Sequence, residues 1–148
     1  MTLPIMYKGA VYPWHCDHMG HMNVMWYVGK FDEANWNLFN YLGITAEYLK
    51  RHQRVMAGVQ QNITCKQELV AGDVIEVRSR ILDVREKVLR VEHELHHVNR
   101  DTAAAIMDLT AVHIDAVARK SCPLPGAIHD RAAGLIDRTA VRIEPQTP

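Results

Sequence analysis

The chain lacks the features that mark several protein classes. Its three cysteines, Cys16, Cys65 and Cys122, are odd in number and far apart, which excludes a disulfide framework and a Cys-x-x-Cys zinc site. It has no excess of charge, because 17 basic residues balance 17 acidic ones. Nucleic-acid binding, which usually requires a basic patch, is therefore disfavoured. The cysteine usage favours a reducing cytoplasm.

Long apolar segments are also missing. No run approaches the roughly 20 residues of a transmembrane helix, and the start, Met-Thr-Leu-Pro, lacks the charged and apolar regions of a signal peptide. The sequence contains no internal repeat, low-complexity segment or linker. We therefore expect one cytoplasmic domain over residues 1–148, with a core at about 5–117 and a C-terminal extension at 118–148.

A strong helical period lies between Asn23, an expected N-cap, and Gly43, an expected helix end. Apolar residues recur every three or four positions, which predicts a helix over 24–42. Its buried face is expected to contain Tyr27, Phe31, Ala34, Leu38 and Tyr41, widened by Val24, Val28, Trp36, Phe39 and Leu42. The polar face is expected to contain Lys30, Asp32, Glu33 and Asn37.

Extended patterns surround that helix. A short strand within 5–14 precedes it, and a short helix capped by Thr45 follows it to about His52. Four strands are then predicted at 55–70, 74–84, 89–97 and 103–116, with a short helix at 127–137. The turns between the four strands are short, which makes consecutive strands antiparallel neighbours. One long apolar helix and one antiparallel sheet predict an α+β fold in which the sheet curves around the helix.

Titratable residues are most concentrated at 14–27, where the chain enters the long helix. Asp17 lies a few residues before the helix, whose unpaired N–H groups favour negative charge. Gly20 permits a turn between them. An acid or base beside an oxyanion-binding helix end can attack or activate attack on a carbonyl.

The pattern Asp17-x-x-Gly20-His21-x-Asn23, with Tyr27 and a Phe-Asp-Glu-Ala segment behind it, resembles the hotdog-fold acyl-CoA thioesterases. The similarity is strongest to the 4-hydroxybenzoyl-CoA thioesterase-like branch, and it extends over about 7–115. It implies a hotdog fold, a long helix rolled in an antiparallel sheet. It also implies hydrolysis of acyl-CoA to a free acid and coenzyme A without a cofactor. A homodimer with sheets joined edge to edge, doubled to a homotetramer, is implied as well.

The resemblance assigns roles at matching positions. Asp17 matches the carboxylate that acts as nucleophile or general base, and the backbone N–H of Val24 matches the donor to the thioester carbonyl. His21 matches an active-site histidine of plant acyl-ACP thioesterases. Those relatives also carry asparagine where Met19 stands, so a full Asp-Asn-His set is absent. The residues expected to shape the substrate site are Gly20, Asn23 and Tyr27.

Alternatives to hydrolysis remain. A hotdog hydratase or dehydratase could use Asp17 with His21, and a non-catalytic module could simply bind acyl-CoA. A metal site at His15, His18 and His21 is disfavoured, because Gly20 interrupts the segment and zinc needs three or four ligands in tetrahedral array. We therefore expect no metal.

Other candidates have less support. The resemblance makes Glu33 a reserve carboxylate, because some related hotdog enzymes use a helix glutamate as the base, although a surface role is more common for such a residue. Cys16 is expected to be a small packing residue. His93 and His97 are expected to be buried and hydrogen-bonded. Coenzyme A phosphates could be bound by basic side chains, although edge-strand charges more often prevent aggregation; these are Arg54, Lys66, Arg78, Arg80, Arg85 and Lys87.

Overall fold

The computed structural model describes residues 3–136; the rest of the expected extension, 137–148, lies outside the described residues. One long helix lies against a six-stranded antiparallel sheet. In chain order the elements are β1 (Tyr7–Ala10), a 3₁₀ turn (Pro13–His15), α1 (Val24–Leu42), α2 (Ala46–His52), β2 (Arg54–Cys65), β3 (Val74–Val84), β4 (Val88–His97), β5 (Thr102–Asp115), β6 (Lys120–Ser121) and α3 (Gly126–Gly134). The predicted α+β fold is confirmed.

The ends of α1 are set by local chemistry, as predicted. The Asn23 side-chain oxygen accepts a hydrogen bond from the Met25 N–H at 3.0 Å, which satisfies an N–H that has no partner within the helix. At the other end Gly43 has φ 98°, a left-handed conformation that stops a helix and favours glycine. The helix therefore has the predicted bounds of 24–42.

The buried face of α1 was predicted correctly at its centre and in part at its margins, where Phe39 and Leu42 are buried as expected. Phe31, Ala34 and Leu38 are fully buried. Val24, Val28 and Trp36, expected to widen that face, are exposed. Lys30, expected on the polar face, is buried, because its ammonium donates to the Tyr7 hydroxyl at 2.7 Å and lies over that ring.

The strand order is β1-β3-β4-β5-β2, with β6 beside β5. Our expectation that the strands at 55–70 and 74–84 are neighbours was wrong, because β2 pairs with β5. The cause is that β2 ends at Cys65, and residues 66–73 then cross the N-terminal end of α1. Leu69 is fully buried in this crossing segment, and its carbonyl accepts from the Met22 N–H at 2.7 Å.

Because of this crossing, β1 and β2 are the two edge strands of the sheet. Residues 65–68 lie opposite the start of α1. The last helix, α3, begins one residue before the predicted position and ends at Gly134. Within residues 3–136, no helix is both long and apolar enough to cross a membrane.

A chain of polar side chains crosses the core beneath α1. The Ser79 hydroxyl lies 2.6 Å from His93 Nδ1, and His93 Nε2 hydrogen-bonds the Asn35 side-chain oxygen. His93 is fully buried, and both partners are nearly so. The expectation that His93 and His97 are hydrogen-bonded is confirmed, since His97 Nε2 lies 3.2 Å from an Asp73 carboxylate oxygen.

Candidate active site

The loop before α1 folds back on itself at residues 16–22. Cys16 and Met22 form an isolated antiparallel bridge, and the Asp17 N–H donates to the His21 carbonyl at 3.1 Å. At the tip, the Gly20 N–H donates to the Asp17 carbonyl at 3.0 Å, with Gly20 at φ 83°. This positive φ suits glycine, and the tight reversal places Asp17 beside the helix start.

Both oxygens of the Asp17 carboxylate are held. Oδ2 accepts from the Asn23 side-chain amide at 2.9 Å, and Oδ1 accepts from the Met19 backbone N–H at 2.8 Å. These bonds favour the charged form, the Asn23 bond most of all, and hold the pKa of Asp17 below its usual range. Asp17 is therefore a fixed, ionised carboxylate at neutral pH.

The first turn of α1 leaves the backbone donor of Val24 open. The Met25 N–H is occupied by the Asn23 side chain, and the Trp26 N–H donates to the Asn23 carbonyl at 3.0 Å. In the part of the chain that the structure describes, the Val24 N–H has no acceptor. A free N–H at the positive end of a helix is a site for an anion or a developing oxyanion.

Asp17 and Val24 line one cavity of about 510 Å³. Its near wall comes from the loop and the start of α1, and its far wall from the end of β2 and the crossing segment. The lining residues are Asp17, Met19, His21, Met22, Asn23, Val24, Tyr27, Cys65, Lys66, Gln67 and Glu68. A smaller cavity of about 390 Å³, between β1 and the second half of α1, contains none of the predicted site residues.

His21 points across this cavity to a partner that the sequence did not indicate. Its Nε2 lies 3.1 Å from a Glu68 carboxylate oxygen. Glu68 lies 47 positions further along, in the crossing segment, and no local spacing relates it to His21. Gly20 shapes the turn and is not among the residues that line the cavity.

Tyr27 lies at the back of the cavity, where it joins α1 to the crossing segment. Its hydroxyl donates to the Gln67 carbonyl at 3.0 Å. Burial, more than any neighbouring charge, raises the pKa of Tyr27 to about 12. The phenol is thus neutral and acts as a hydrogen-bond donor at physiological pH.

The disfavoured candidates lie elsewhere or have other partners. His15 is buried against Trp26, and its Nδ1 accepts from the Tyr12 N–H at 3.0 Å. Among residues 3–136, no three His, Cys, Asp or Glu side chains come together as metal ligands. Cys16 is half-buried, with its sulfur 3.9 Å from the Tyr12 carbonyl oxygen, and Glu33 is exposed on α1.

Of the six basic candidates, Lys66 lines the cavity. Four arginines form ion pairs along the sheet: Arg54 with Asp115, Arg78 with Glu76 and Asp101, Arg80 with Glu92, and Arg85 with Asp83. These pairs give the four arginines carboxylate partners within the chain.

The chain was compared with protein families, curated proteins and solved structures. A family model described as the thioesterase-like superfamily matches residues 11–132. No curated protein matches the chain. A hypothetical protein of Staphylococcus aureus, solved in complex with CoA, has a TM-score of 0.87 at 20% identity, covering 99% of this chain and 92% of its own.

Two further solved structures have names that state an activity. A 1,4-dihydroxy-2-naphthoyl-CoA thioesterase from Synechocystis has a TM-score of 0.78 at 18% identity, covering 87% of this chain and 95% of its own. A DHNA-CoA thioesterase from Staphylococcus aureus has a TM-score of 0.73 at 14% identity, covering 80% and 78%. At such identities the similarity establishes a shared fold.

Proposed function

Because this chain belongs to the thioesterase-like superfamily, we propose that it hydrolyses acyl-CoA thioesters to a free carboxylic acid and coenzyme A. It has the hotdog fold of that superfamily. The observation that carries the proposal is the shared cavity of an ionised Asp17 carboxylate and an unoccupied Val24 N–H.

The thioester carbonyl is placed at the N-terminal end of α1. As the carbonyl carbon becomes tetrahedral, negative charge develops on its oxygen, and the Val24 N–H donates to that oxyanion. The positive end of the helix dipole adds to this stabilisation. Loss of one such donor typically slows an enzyme by about 10²- to 10³-fold.

Asp17 drives the attack by one of two routes. As a general base, it takes a proton from a water whose oxygen attacks the carbonyl; the C–S bond then breaks, and the CoA thiolate that leaves takes that proton from Asp17, which restores the carboxylate. As a nucleophile, it forms a mixed anhydride with the acyl group while CoA leaves, and water then cleaves the anhydride. Rapid acid quenching followed by mass spectrometry distinguishes them, because only the second route gives an acyl group on Asp17.

His21 orients the attacking water or the carboxylate in this proposal, with Glu68 fixing the imidazole ring. Met19 and Met22 give the cavity an adaptable apolar lining, and Lys66 supplies a positive charge for a phosphate of coenzyme A. The CoA complex of the Staphylococcus aureus protein and the names of the two CoA thioesterases support a CoA ester as the substrate.

The assembly we propose is a homodimer joined through β2, doubled to a tetramer. Its support is that β2 is a twelve-residue edge strand with Val55 and Val59 exposed, and long unpaired edges favour pairing with another strand. The cavity lies at the Cys65 end of this strand, so a partner would enclose it. Sedimentation equilibrium of the purified chain tests the assembly.

A panel of aliphatic and aromatic acyl-CoA esters, assayed for thiol release, tests the proposed activity. Steady thiol release supports hydrolysis. Hydration of an enoyl-CoA without thiol release would instead identify the hydratase alternative. Tight binding across the panel with neither reaction would indicate a non-catalytic module.

A further inference from the structure

The Asn23 side chain makes two hydrogen bonds in opposite directions. Its oxygen accepts from the Met25 N–H at 3.0 Å, which caps α1. Its nitrogen donates to Asp17 Oδ2 at 2.9 Å. Only one orientation of the amide satisfies both neighbours, because the backbone N–H needs an acceptor and the carboxylate needs a donor.

We propose that Asn23 is a positioning residue, whose amide ties the Asp17 carboxylate to the N-terminal turn of α1 and so fixes it relative to the free Val24 N–H. The inference rests on the proposed function, because the distance it sets matters only if both groups act on one substrate. It goes beyond the helix cap that the sequence predicted at this position.

The two roles of Asn23 have different chemical requirements. Capping requires only an acceptor, and serine or aspartate serves nearly as well as asparagine. Holding a carboxylate requires a donor as well, which aspartate lacks. The single hydroxyl of serine is shorter and cannot occupy the positions of both amide atoms. Asparagine is therefore the residue that can cap this helix and hold Asp17 at the same time.

The remaining contacts of Asp17 do not replace this one. The Met19 N–H holds only Oδ1, so without Asn23 the carboxylate is free to rotate about that bond. The other charged or titratable groups around it are His18 and His21 on the same loop, with Tyr27 on α1 and Cys65, Lys66 and Glu68 on the facing wall.

The test uses Asn23→Ser and Asn23→Asp, which both keep the cap. We expect both to keep the wild-type melting temperature within a few degrees and to lower kcat/KM for an acyl-CoA that the wild type cleaves. A misplaced group commonly costs a factor of about 10 to 100 in rate.

The acid limb of the kcat/KM profile should move to higher pH in both variants. It should move further for Asn23→Asp, because a second carboxylate then faces Asp17. Thr45→Ser, a cap exchange at α2, is the control. It should change neither kcat/KM nor the acid limb of its pH profile.

A second measurement does not depend on activity. Carbon-13 NMR titration of the Asp17 carboxyl should show a higher pKa in both variants than in the wild type, because the Asn23 bond is the largest cause of its lowering. Wild-type kinetics, pH profile and carboxyl titration in both variants would overturn the inference and leave Asn23 as a cap only. If the wild type cleaves no ester, the proposed function fails, and an unchanged titration would then separately overturn the tie between Asn23 and Asp17.

Discussion

Two asparagines near or within α1 each hold a titratable side chain, and they differ in what surrounds the pair. Asn23 donates to Asp17 at the edge of an open cavity. Asn35 accepts from His93, which also contacts Ser79, and His93 is completely buried. The chemistry of the contacts is similar, but only the first pair can be reached by a substrate.

By composition alone, the buried Ser79-His93-Asn35 chain is the closer match to a nucleophile-base-orienter arrangement. Its surroundings argue against that role. Burial lowers the pKa of His93 to about 4, and none of its three members lines either cavity within residues 3–136. A catalytic arrangement needs access as well as geometry, so we propose that this buried chain contributes to stability and that the Asp17 group carries the chemistry.

The largest expected effect is on catalysis at the open pair. Asp17→Asn removes the charge while keeping the shape, and loss of a general base costs about 10²- to 10⁴-fold in rate. Thiol release should fall by at least that lower factor, with the urea midpoint little changed. Glu33→Gln, the reserve carboxylate on the exposed side of α1, is the matched control and should retain activity. Retention of a tenth of wild-type turnover by Asp17→Asn would refute its role.

The buried chain should respond in stability and not in rate. His93→Leu leaves the Ser79 hydroxyl and the Asn35 amide unpaired in the core, which should lower the free energy of unfolding by about 2–4 kcal/mol. Urea denaturation measures this. His52→Leu on the exposed end of α2 should change it by about 0.5 kcal/mol or less. If folded His93→Leu loses turnover as severely as Asp17→Asn, the division between the two regions is wrong.

As the pH falls, the stability contributed by the buried Ser79-His93-Asn35 chain should be lost before the Asp17 carboxylate beside Asn23 is protonated. His93 has a pKa of about 4 when folded against 6.5 as the ordinary value, so the unfolded chain binds more protons between these values. Stability therefore rises with pH through this window and is lost as pH falls through it. Between pH 7 and pH 5, His93 is expected to lower the free energy of unfolding by about 2 kcal/mol.

Urea midpoints across pH, compared with His93→Leu, isolate this contribution. The variant should show a shallower dependence, although His15 and His113, whose pKa values burial also lowers, will leave part of it. Parallel curves for the two proteins would show that His93 does not titrate as its burial requires.

Local patterns predicted what local chemistry determines. The bounds of α1 follow from Asn23, Gly43 and the apolar period between them, and the position of Asp17 follows from the glycine turn before the helix. The route of residues 66–73 does not follow from any local pattern, since β2 pairs with β5 through contacts between distant residues. No spacing in the sequence indicates that the chain crosses the helix instead of turning back.

The same limit applies to individual side chains. Glu68 reaches His21, and Asn35 reaches His93 from 58 positions away, so neither partner could be assigned from sequence. Lys30 looked like a surface charge because its partner, Tyr7, lies on a strand 23 positions earlier. Sequence identified the candidate carboxylate and the helix behind it, and tertiary structure supplied the far wall of the cavity and the partners of these side chains.

The smallest effect should come from Tyr27, which belongs to both regions, because its ring is buried in the core and also lines the cavity. Tyr27→Phe keeps the ring and removes the bond to the Gln67 carbonyl, which should cost about 1 kcal/mol and lower the melting temperature by about 3 °C. Because the neutral phenol holds the crossing segment and takes no proton in the proposed reaction, kcat should stay near the wild-type value. Tyr41→Phe, further along the same helix, should leave both quantities unchanged. A clear loss of kcat in folded Tyr27→Phe would contradict this prediction and show that the hydroxyl takes part in catalysis.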